Sequence, residues 1–328
     1  MIKYAETYYE GEEIDGFYVT GMMKRSWAAD LEVLLELDRI CKKNGIKYFL
    51  LYGSLLGAVR HKGFIPWDDD IDVGMLREDY IKFISIVDSQ IAKPFMVGNT
   101  SSDSVLYPCK IVNAEKPCVD DDFLNRFHGC PYIAGVDIFP LDNISDNPQR
   151  VEEFKQMFQV TKYASQRLDP LWDEGKIPLN ESAVLDHPEA EELEEIVTGI
   201  EEYFGIKIPR DDSGSIVLAH ITDELAQIFN DEECNWVADM SQVDVSKDKI
   251  KIFPKAAFDE LIEMEFQGIK FPVPVGYESV LESLYGKDWR IPQRGVAQHC
   301  YPSYKLQAQA LEKIYKECNV TPPDYFFL

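Results

Sequence analysis

Apolar residues in the first half of the chain recur with two periods, one helical and one strand-like. The spacing of Leu31, Leu34 and Ile40 predicts a helix over residues 24–43, which Asn44-Gly45 would end. Short apolar runs bounded by Gly, Pro or charged residues predict strands. In chain order, the pattern predicts a strand at 47–52, a short helix at 55–61, a loop at 62–67, a strand at 69–75, a helix at 79–89, and strands at 105–112 and 132–139. This alternation indicates a mixed α/β fold.

Beyond residue 148 the spacing of apolar residues becomes mainly helical, as at Phe154 and Phe158. A densely acidic stretch at 181–202 is typical of a solvated helical face, and we assign it no chemistry. Nearer the end, the pattern predicts a hairpin at 265–273 and a helix at 277–285. We therefore expect three regions: an α/β core at 1–148, a mainly helical region at 149–262, and a C-terminal hairpin with helices at 263–328 that packs back on the core.

The composition limits the classes of partner. The 328 residues include 33 Lys and Arg against 58 Asp and Glu, a formal net charge of −25, and such a surface repels nucleic acid. A hydrophobic content of 45% suffices for a real core. No stretch reaches the roughly 18 apolar residues of a membrane span, and the N-terminus lacks the regions of a signal peptide. We therefore expect a cytoplasmic protein with no transmembrane segment.

The seven cysteines are scattered and never spaced as CxxC, which argues against a disulfide framework and a common zinc site. We expect most of them to be reduced and buried. Cys118, His128 and Cys130 lie near one another in sequence and are a candidate metal site, but buried structural residues are the more common explanation.

Candidate chemistry concentrates at residues 52–75, where a small-residue turn, a basic run and four aspartates follow one another. In the predicted strand, Asp70 and Asp72 share one face, whereas Ile71 and Val73 point to the opposite, buried face. The two carboxylates would lie about 7 Å apart along the strand and could bind one cation by side-chain rotation. Like charges this close repel each other, and a divalent metal ion is their usual partner.

A second aspartate, Asp137, interrupts the apolar run at 136–139. By itself, it is best explained as a hydrogen-bonded structural residue at a strand end. With Asp70 and Asp72 available, it becomes the natural third ligand.

The spacing of Asp68, Asp70 and Asp72 also matches the first ligands of an EF-hand calcium loop. That loop needs Gly at its sixth position and Glu at its twelfth, where this chain has Val73 and Asp79. The flanking sequence is strand-like as well, so the pattern does not predict an EF-hand.

Residues suited to phosphate precede the acids. Gly53 permits tight backbone geometry, and Ser54 offers a hydroxyl and backbone N–H groups at the start of the short helix. Arg60, His61 and Lys62 could neutralise phosphate oxygens, Arg60 through its planar guanidinium. Each residue alone is more simply explained by surface solvation, and it is the cluster that favours an anion site.

Three motifs, Gly53-Ser54, Asp70-Ile71-Asp72-Val73 and Val136-Asp137-Ile138, resemble the signature of the nucleotidyltransferase superfold. More narrowly, the stretches at 52–75, 135–143 and 271–289 closely resemble the LicD family, which includes bacterial phosphocholine transferases and is related to fukutin-type ribitol-phosphate transferases. The resemblance implies an α/β (α+β) fold: a nucleotidyltransferase-like core of a mixed sheet flanked by helices, with a mainly helical additional region. Residues 150–260 carry no family motif.

The resemblance also implies a reaction. A phospho-alcohol, first of all phosphocholine, would move from CDP-choline or another CDP-alcohol to a hydroxyl of a cell-surface glycan, such as teichoic acid or lipopolysaccharide, or of its free or lipid-linked precursor, with release of CMP. Mg²⁺, with Mn²⁺ as the alternative, would be held by Asp70, Asp72 and Asp137, with Asp137 as ligand or general base. The protein would act in the cytoplasm or peripherally at the inner face of the membrane. By elimination, and not from the resemblance, we expect the region at 149–262 and the last 60 residues to select the acceptor.

Other residues receive supporting roles from the resemblance. Arg60, Lys62 and Lys110 are candidates for contacts to phosphate oxygens, although Lys110 is equally well explained as a strand-edge lysine. Asp68 and Asp69 are expected to support the ligands or to cap the loop.

A choline headgroup would call for an aromatic cage, for which the chain offers Tyr52, Trp67, Tyr107, Tyr285 and Trp289. His299 could take part in proton transfer, but a lone histidine more often has a structural role.

Two alternative functions stay open at this point. The same fold could use an NTP and release pyrophosphate as an ordinary nucleotidyltransferase does. The chain could also be a non-catalytic, metal-dependent binder of phosphosugars, but such a binder has no evident need for three acids and a basic cluster.

Overall fold

The structure is a computed structural model that describes residues 2–98, 109–168, 190–210, 212–242, 250–294, 302–318 and 321–322. A hairpin of strands β1 (Glu12–Ile14) and β2 (Phe17–Val19) precedes helix α1 (Gly21–Asn44). The Thr20 side chain accepts a hydrogen bond from the Met23 N–H at 3.1 Å and caps the start of α1, and Gly45 ends it with a left-handed φ of 64°. The helix predicted at 24–43 is thus confirmed, and it begins three residues earlier.

The central sheet has the strand order β3-β4-β7-β6-β5. Its members are β3 (Phe49–Leu50), β4 (Asp72–Leu76), β5 (Met96–Gly98), β6 (Cys109–Val112) and β7 (Gly135–Ile144). Strands β4 and β7 pair in parallel, and the other neighbours are antiparallel. Strands β8 (Trp236–Ala238) and β9 (Ile252–Pro254) extend the second half of β7. The mixed sheet flanked by helices confirms the predicted α/β class.

The remaining elements are helices and a second hairpin. The helices are α2 (Tyr52–His61), α3 (Arg77–Gln90), α4 (Asp121–Arg126), α5 (Pro148–Leu168), α6 (Ala190–Phe204), α7 (Asp212–Ala226), α8 (Tyr277–Tyr285) and α9 (Lys305–Cys318), and the hairpin joins β10 (Leu261–Phe266) to β11 (Ile269–Pro274). In the described part of the chain, no helix is both long enough and apolar enough to cross a bilayer.

The main hydrophobic core runs from Val19 to Leu311 and includes the sheet, α1, α2 and the second hairpin. A smaller cluster packs α5 and α7 against the ends of β7 and β8, and another joins α5, α6 and α7. The boundaries proposed near residues 148 and 262 stay predictions.

Several boundaries differ from those predicted. The strand expected at 47–52 is limited to β3, because Tyr52 already belongs to α2, which places Gly53 and Ser54 inside the first helical turn. The strand expected at 69–75 begins only at Asp72. Asp70 lies in the irregular segment 68–71, so the prediction that Asp70 and Asp72 share one face of a strand is wrong. The hairpin expected at 265–273 is longer than predicted, and the helix at 277–285 is confirmed. Part of the strand expected at 105–112 lies outside the described residues.

Candidate active site

The strand register brings three charged residues into one row. Asp72 of β4 is the register partner of Asp137 on β7, and Asp137 is also the partner of Lys110 on β6. Register partners on neighbouring strands share a face of the sheet and lie about 5 Å apart. The Lys110 Nζ donates a hydrogen bond to the Asp137 Oδ2 at 3.1 Å. The row therefore presents two carboxylates and an ammonium group on one face.

The acidic loop, residues 68–70, leads into this row. Asp68, Asp69 and Asp70 each offer a carboxylate oxygen that lies within 4.8 Å of the others, an arrangement that could hold a metal ion. Asp69 is buried, and its carboxylate accepts a hydrogen bond from the Ser303 N–H. Asp70 is half-buried, as is Asp72. The loop and the row form one patch of negative charge.

The electrostatics of Asp72 show how crowded this patch is. Burial raises the pKa of Asp72 well above its usual range, and the charges of Asp70, Asp137 and Asp68 raise it further, whereas Lys110 opposes them. A single lysine therefore does not balance the carboxylates. Carboxylate oxygens are the ligands that Mg²⁺ and Mn²⁺ prefer, so the donor set fits a hard divalent cation.

The first turn of α2 holds Asp72 in place. The Asp72 N–H donates to the Ser54 Oγ at 2.9 Å. Next to Ser54, an added Cβ on Gly53 would clash with the Asp68 carboxylate. The Asp68 side chain thus packs against the Cα of Gly53, which does not adopt a left-handed conformation.

This geometry agrees with the comparisons to known proteins. Residues 45–173 match the family described as LicD/FKTN/FKRP, nucleotidyltransferase domain. These residues, about two fifths of the chain, thus resemble a LicD-family nucleotidyltransferase domain. The match includes Asp72, Asp137 and Lys110 and the whole acidic loop.

Individual relatives support the same family. The chain is 24% identical over 272 residues to the lipopolysaccharide cholinephosphotransferase LicD of Haemophilus influenzae. The aligned region covers 80% of this chain and 89% of that protein. Over 35 residues it is 57% identical to the ribitol 5-phosphate transferase FKRP of human and mouse. This alignment covers 11% of this chain and 7% of each of those proteins. It is also 46% identical over 56 residues to an uncharacterized Rickettsia typhi protein, 17% of this chain and 18% of that one.

The predicted basic residues Arg60 and His61 have different partners in the structure. The Arg60 Nη1 donates to the Trp289 carbonyl at 3.1 Å. Tyr285 lies near both Arg60 and the aspartates at 68, 70 and 72. Burial raises the pKa of Tyr285 above its usual range, the aspartates raise it further, and Arg60 lowers it. The His61 Nε2 instead lies 3.4 Å from the Asp15 Oδ2 on the first hairpin. Arg60 therefore stays a candidate for phosphate contact.

Lys62 and His61 have structural explanations in this fold. Lys62 ends α2 with a left-handed φ of 57°, and its carbonyl accepts a hydrogen bond from the Gln267 N–H at 2.8 Å. Burial lowers the pKa of His61, and the neighbouring Arg60 lowers it further, which disfavours the cationic form that would bind phosphate. Their predicted phosphate contacts gain no support from these positions.

The aromatic residues proposed for a choline cage differ in how exposed they are. Trp67 packs edge-on against Phe17, and the Arg294 guanidinium lies 5.8 Å from its ring centre. Trp289 is buried, whereas Tyr285 is 44% exposed beside the acids. Tyr285 is therefore the ring best placed to contact a headgroup. Tyr107 and His299 lie outside the described residues.

The predicted Cys118, His128 and Cys130 site is not supported. Both ring nitrogens of His128 have partners, the Tyr9 hydroxyl at 2.9 Å and the Glu32 Oε1 at 3.1 Å. Burial raises the pKa of Cys130 to about 12, which disfavours the thiolate that a metal needs. Through these two contacts, His128 joins the N-terminal segment to α1.

Asp30 on α1 is a residue that the sequence reasoning missed. It is buried, and its Oδ1 accepts a hydrogen bond from the Gly135 N–H at 2.8 Å, two residues before Asp137. Its Oδ2 has no hydrogen-bond partner among the described residues. Asp30 lies in a helix that is buried on most sides, so the spacing of apolar residues did not single it out.

Replacing Gly53 with Ala tests the contact with Asp68. We expect a loss of turnover of roughly 10–100-fold, because the new Cβ displaces the Asp68 carboxylate and with it the acidic loop. Gly199→Ala is the control, since open space surrounds that glycine in α6, and it should keep its turnover and gain up to about 1 kcal/mol of stability. Equal turnover in the two variants would refute the contact.

Replacing Asp30 with Asn tests the buried carboxyl. Burial raises the pKa of Asp30 well above its usual range, and the charges of Asp69 and Asp70 add to this, whereas the Gly135 hydrogen bond and Lys110 oppose it. A raised folded-state pKa means that stability is fully present below the unfolded pKa and is lost as the pH rises through the folded pKa. We therefore expect Asp30→Asn to have the higher Tm at pH 7.5, with the difference shrinking towards pH 4. A constant difference across that range would contradict this.

Proposed function

We propose that this chain transfers a phospho-alcohol from a CDP-alcohol to a hydroxyl of a cell-surface glycan or its precursor and releases CMP. The observation that carries the proposal is the row of Lys110, Asp137 and Asp72 beside the acidic loop, inside a LicD-family domain. CDP-choline is the first donor to test, because the relative that spans 80% of this chain is named a cholinephosphotransferase.

In the proposed reaction, the acceptor oxygen attacks the phosphorus that carries the alcohol. The bond from that phosphorus to the CMP oxygen breaks, and its electron pair leaves with CMP. The hydroxyl proton passes to a base near the acceptor. Asp137 is proposed there, as the base or as the third metal ligand, because Lys110 orients its carboxylate and its side chain is still 22% exposed.

A divalent cation fits the carboxylates of this site. We propose Asp70, Asp72 and Asp137 as ligands of Mg²⁺ or Mn²⁺, although the three carboxylates that already converge are those of Asp68, Asp69 and Asp70. The ion would neutralise the negative charge that develops as the bond to CMP breaks. The raised pKa of Asp72 supports this role, because the free carboxylates repel one another at neutral pH.

The side chains around the acids would bind the rest of the donor. Lys110, with 41% of its side chain exposed, can donate to a phosphate oxygen while it holds Asp137. Arg60, whose charge affects the pKa of Tyr285, is proposed to contact a second phosphate oxygen. Tyr285, which is 44% exposed, is proposed to contact a quaternary ammonium group.

A panel of CDP-alcohols tests the proposal. The protein is incubated with each donor, Mg²⁺ and a glycan acceptor, and CMP is measured with and without EDTA. We expect Mg²⁺-dependent CMP release from at least one donor, with CDP-choline tested first. No CMP from any donor, or pyrophosphate release from an NTP, would overturn it, and the second result would favour a nucleotidyltransferase.

The proposed place of action is the cytoplasm or the cytoplasmic face of the membrane, where the nucleotide-linked donor and the glycan precursor would meet. Fractionation of cells that express the chain tests this: protein found only outside the cytoplasm would contradict it.

A further inference from the structure

Tyr52 has a backbone conformation that is unusual for its residue type. It opens α2 directly after β3 and has a left-handed φ of 47°. Such a conformation costs an ordinary side chain on the order of 1–3 kcal/mol and persists only where the surroundings enforce it. Contacts around Tyr52 must therefore hold its backbone in this conformation.

Two contacts hold the Tyr52 side chain. Its hydroxyl donates to the Asp239 Oδ2 at 2.7 Å, and its ring packs edge-on against Phe139 of β7 with ring centres 5.3 Å apart. Asp239 is buried, and its Oδ1 accepts hydrogen bonds from the Ser241 N–H and hydroxyl at 2.8 and 2.6 Å. The Lys162 Nζ of α5 donates to the Ser241 carbonyl at 2.7 Å. Tyr52 is thus tied to a rigid acceptor.

The residues on either side of Tyr52 hold the backbone of Asp72. The Leu51 N–H donates to the Asp72 carbonyl at 3.0 Å, and the Ser54 Oγ accepts from the Asp72 N–H at 2.9 Å. The conformation of Tyr52 sets the relative positions of these two partners. Phe139, which packs on the Tyr52 ring, lies two residues after Asp137 on β7.

We infer that Tyr52 and Asp239 form a positioning pair that fixes Asp72 and, through Phe139, the centre of the row at Asp137. Asp239 lies beyond residues 45–173, so the pair gives the segment after α7, which the family match does not cover, a role in the site. The catalytic consequence rests on the proposed function, whereas the effect on the Asp72 backbone does not.

The chain offers a matched control. The Tyr48 hydroxyl donates to the Asp38 Oδ1 at 2.8 Å, so this buried pair has the same chemistry and length. It joins α1 to the start of β3 and touches none of the proposed site residues among its described partners. Tyr48→Phe and Tyr52→Phe therefore remove the same bond from two places.

Amide hydrogen exchange of the segment 70–74 is the primary measurement, because it needs no substrate. We expect Tyr52→Phe to speed exchange at the Asp72 amide by roughly 10-fold or more, whereas Tyr48→Phe leaves it unchanged. Asp239→Ala should give the same increase, and the double variant should add little, because both changes break one bond. Unchanged exchange at Asp72, or an equal increase in the Tyr48→Phe protein, would overturn the inference.

Kinetics provide the second readout. With the donor that gives CMP, Tyr52→Phe is expected to lower kcat by about 10–100-fold and to change KM by less than about threefold, since misplacement of about 1 Å has this effect. Faster exchange in a protein that turns over no donor would sustain the positioning pair and refute the proposed function. Faster exchange with an unchanged kcat would refute the link from positioning to catalysis.

Discussion

Replacing Asp72 with Asn should lower CMP release at least about 1,000-fold. Asp72 lies between the acidic loop and Asp137, so its charge is the one that a divalent cation would share with both. Loss of several kcal/mol of transition-state stabilisation corresponds to three or more orders of magnitude in rate. Asp137→Asn should show a loss of the same order, because it removes both the ligand and the proposed base.

The same variants should not be unfolded. Burial and like charges raise the pKa of Asp72, so the metal-free parent loses stability as the pH rises through that pKa. Asn at this position removes the repulsion, and the metal-free variant should have the higher Tm at pH 7.5. In Mg²⁺ the parent should gain stability and the variant should gain less.

Asp259→Asn is the control for these two variants. Asp259 is exposed and ends a short 3-10 helix after β9, and we expect its replacement to change turnover by less than twofold. An Asp72→Asn protein that is folded and keeps a tenth or more of the parental rate would contradict the assigned role.

Arg77→Met should have the largest effect on stability. The Arg77 Nε and Nη2 donate to the two carboxylate oxygens of Asp142 at 2.7 Å each, and Nη1 donates to Asp223 at 2.9 Å. Asn230 adds a hydrogen bond to Asp142 at 2.8 Å. Arg77 thus ties the first residue of α3 to β7 and to α7, where the sheet meets the helical region.

Removing Arg77 leaves a buried carboxylate without its cation. Asp142 is fully buried, and burial raises its pKa even though Arg77 opposes this. Breaking a buried pair in this way lowers the free energy of unfolding by about 3–5 kcal/mol. Arg77→Lys should recover only part of the loss, because an ammonium group cannot reproduce the planar, bidentate contact.

Arg150→Met is the matched control for Arg77. Arg150 makes an equally short bidentate pair with Glu232, with both bonds at 2.7 Å, but their side chains are 48% and 36% exposed. Surface pairs contribute at most about 1 kcal/mol. Similar shifts of the urea midpoint in the two variants would contradict the predicted contribution of the buried Arg77 ion pairs to stability.

The local pattern predicted α1, β3, α2, β4, α3, β6 and β7 in their chain order, but not β1, β2, β5, β8 or β9. It also proposed Asp137 as the partner of Asp70 and Asp72, and the register places Asp137 beside Asp72. Lys110 donates to Asp137, and its role as a phosphate contact stays a prediction.

Other features depend on contacts between distant residues, which spacing along the chain does not reveal. Asp30 and Asp239 come from α1 and from the segment after α7, at 105 and 187 positions from their partners Gly135 and Tyr52. The sequence predicts that Gly53 provides backbone freedom, whereas the structure shows the Asp68 carboxylate packed against its Cα. A left-handed Tyr52 is likewise enforced by tertiary packing against its own preference.

The most direct test of the account is to follow both phosphorus atoms of the donor by ³¹P NMR in one reaction with Mg²⁺ and acceptor. Transfer of the phospho-alcohol predicts that the phosphorus bearing the alcohol appears in a new phosphodiester on the acceptor while the other appears in CMP. A cytidylylated acceptor with free phospho-alcohol as the second product would contradict it.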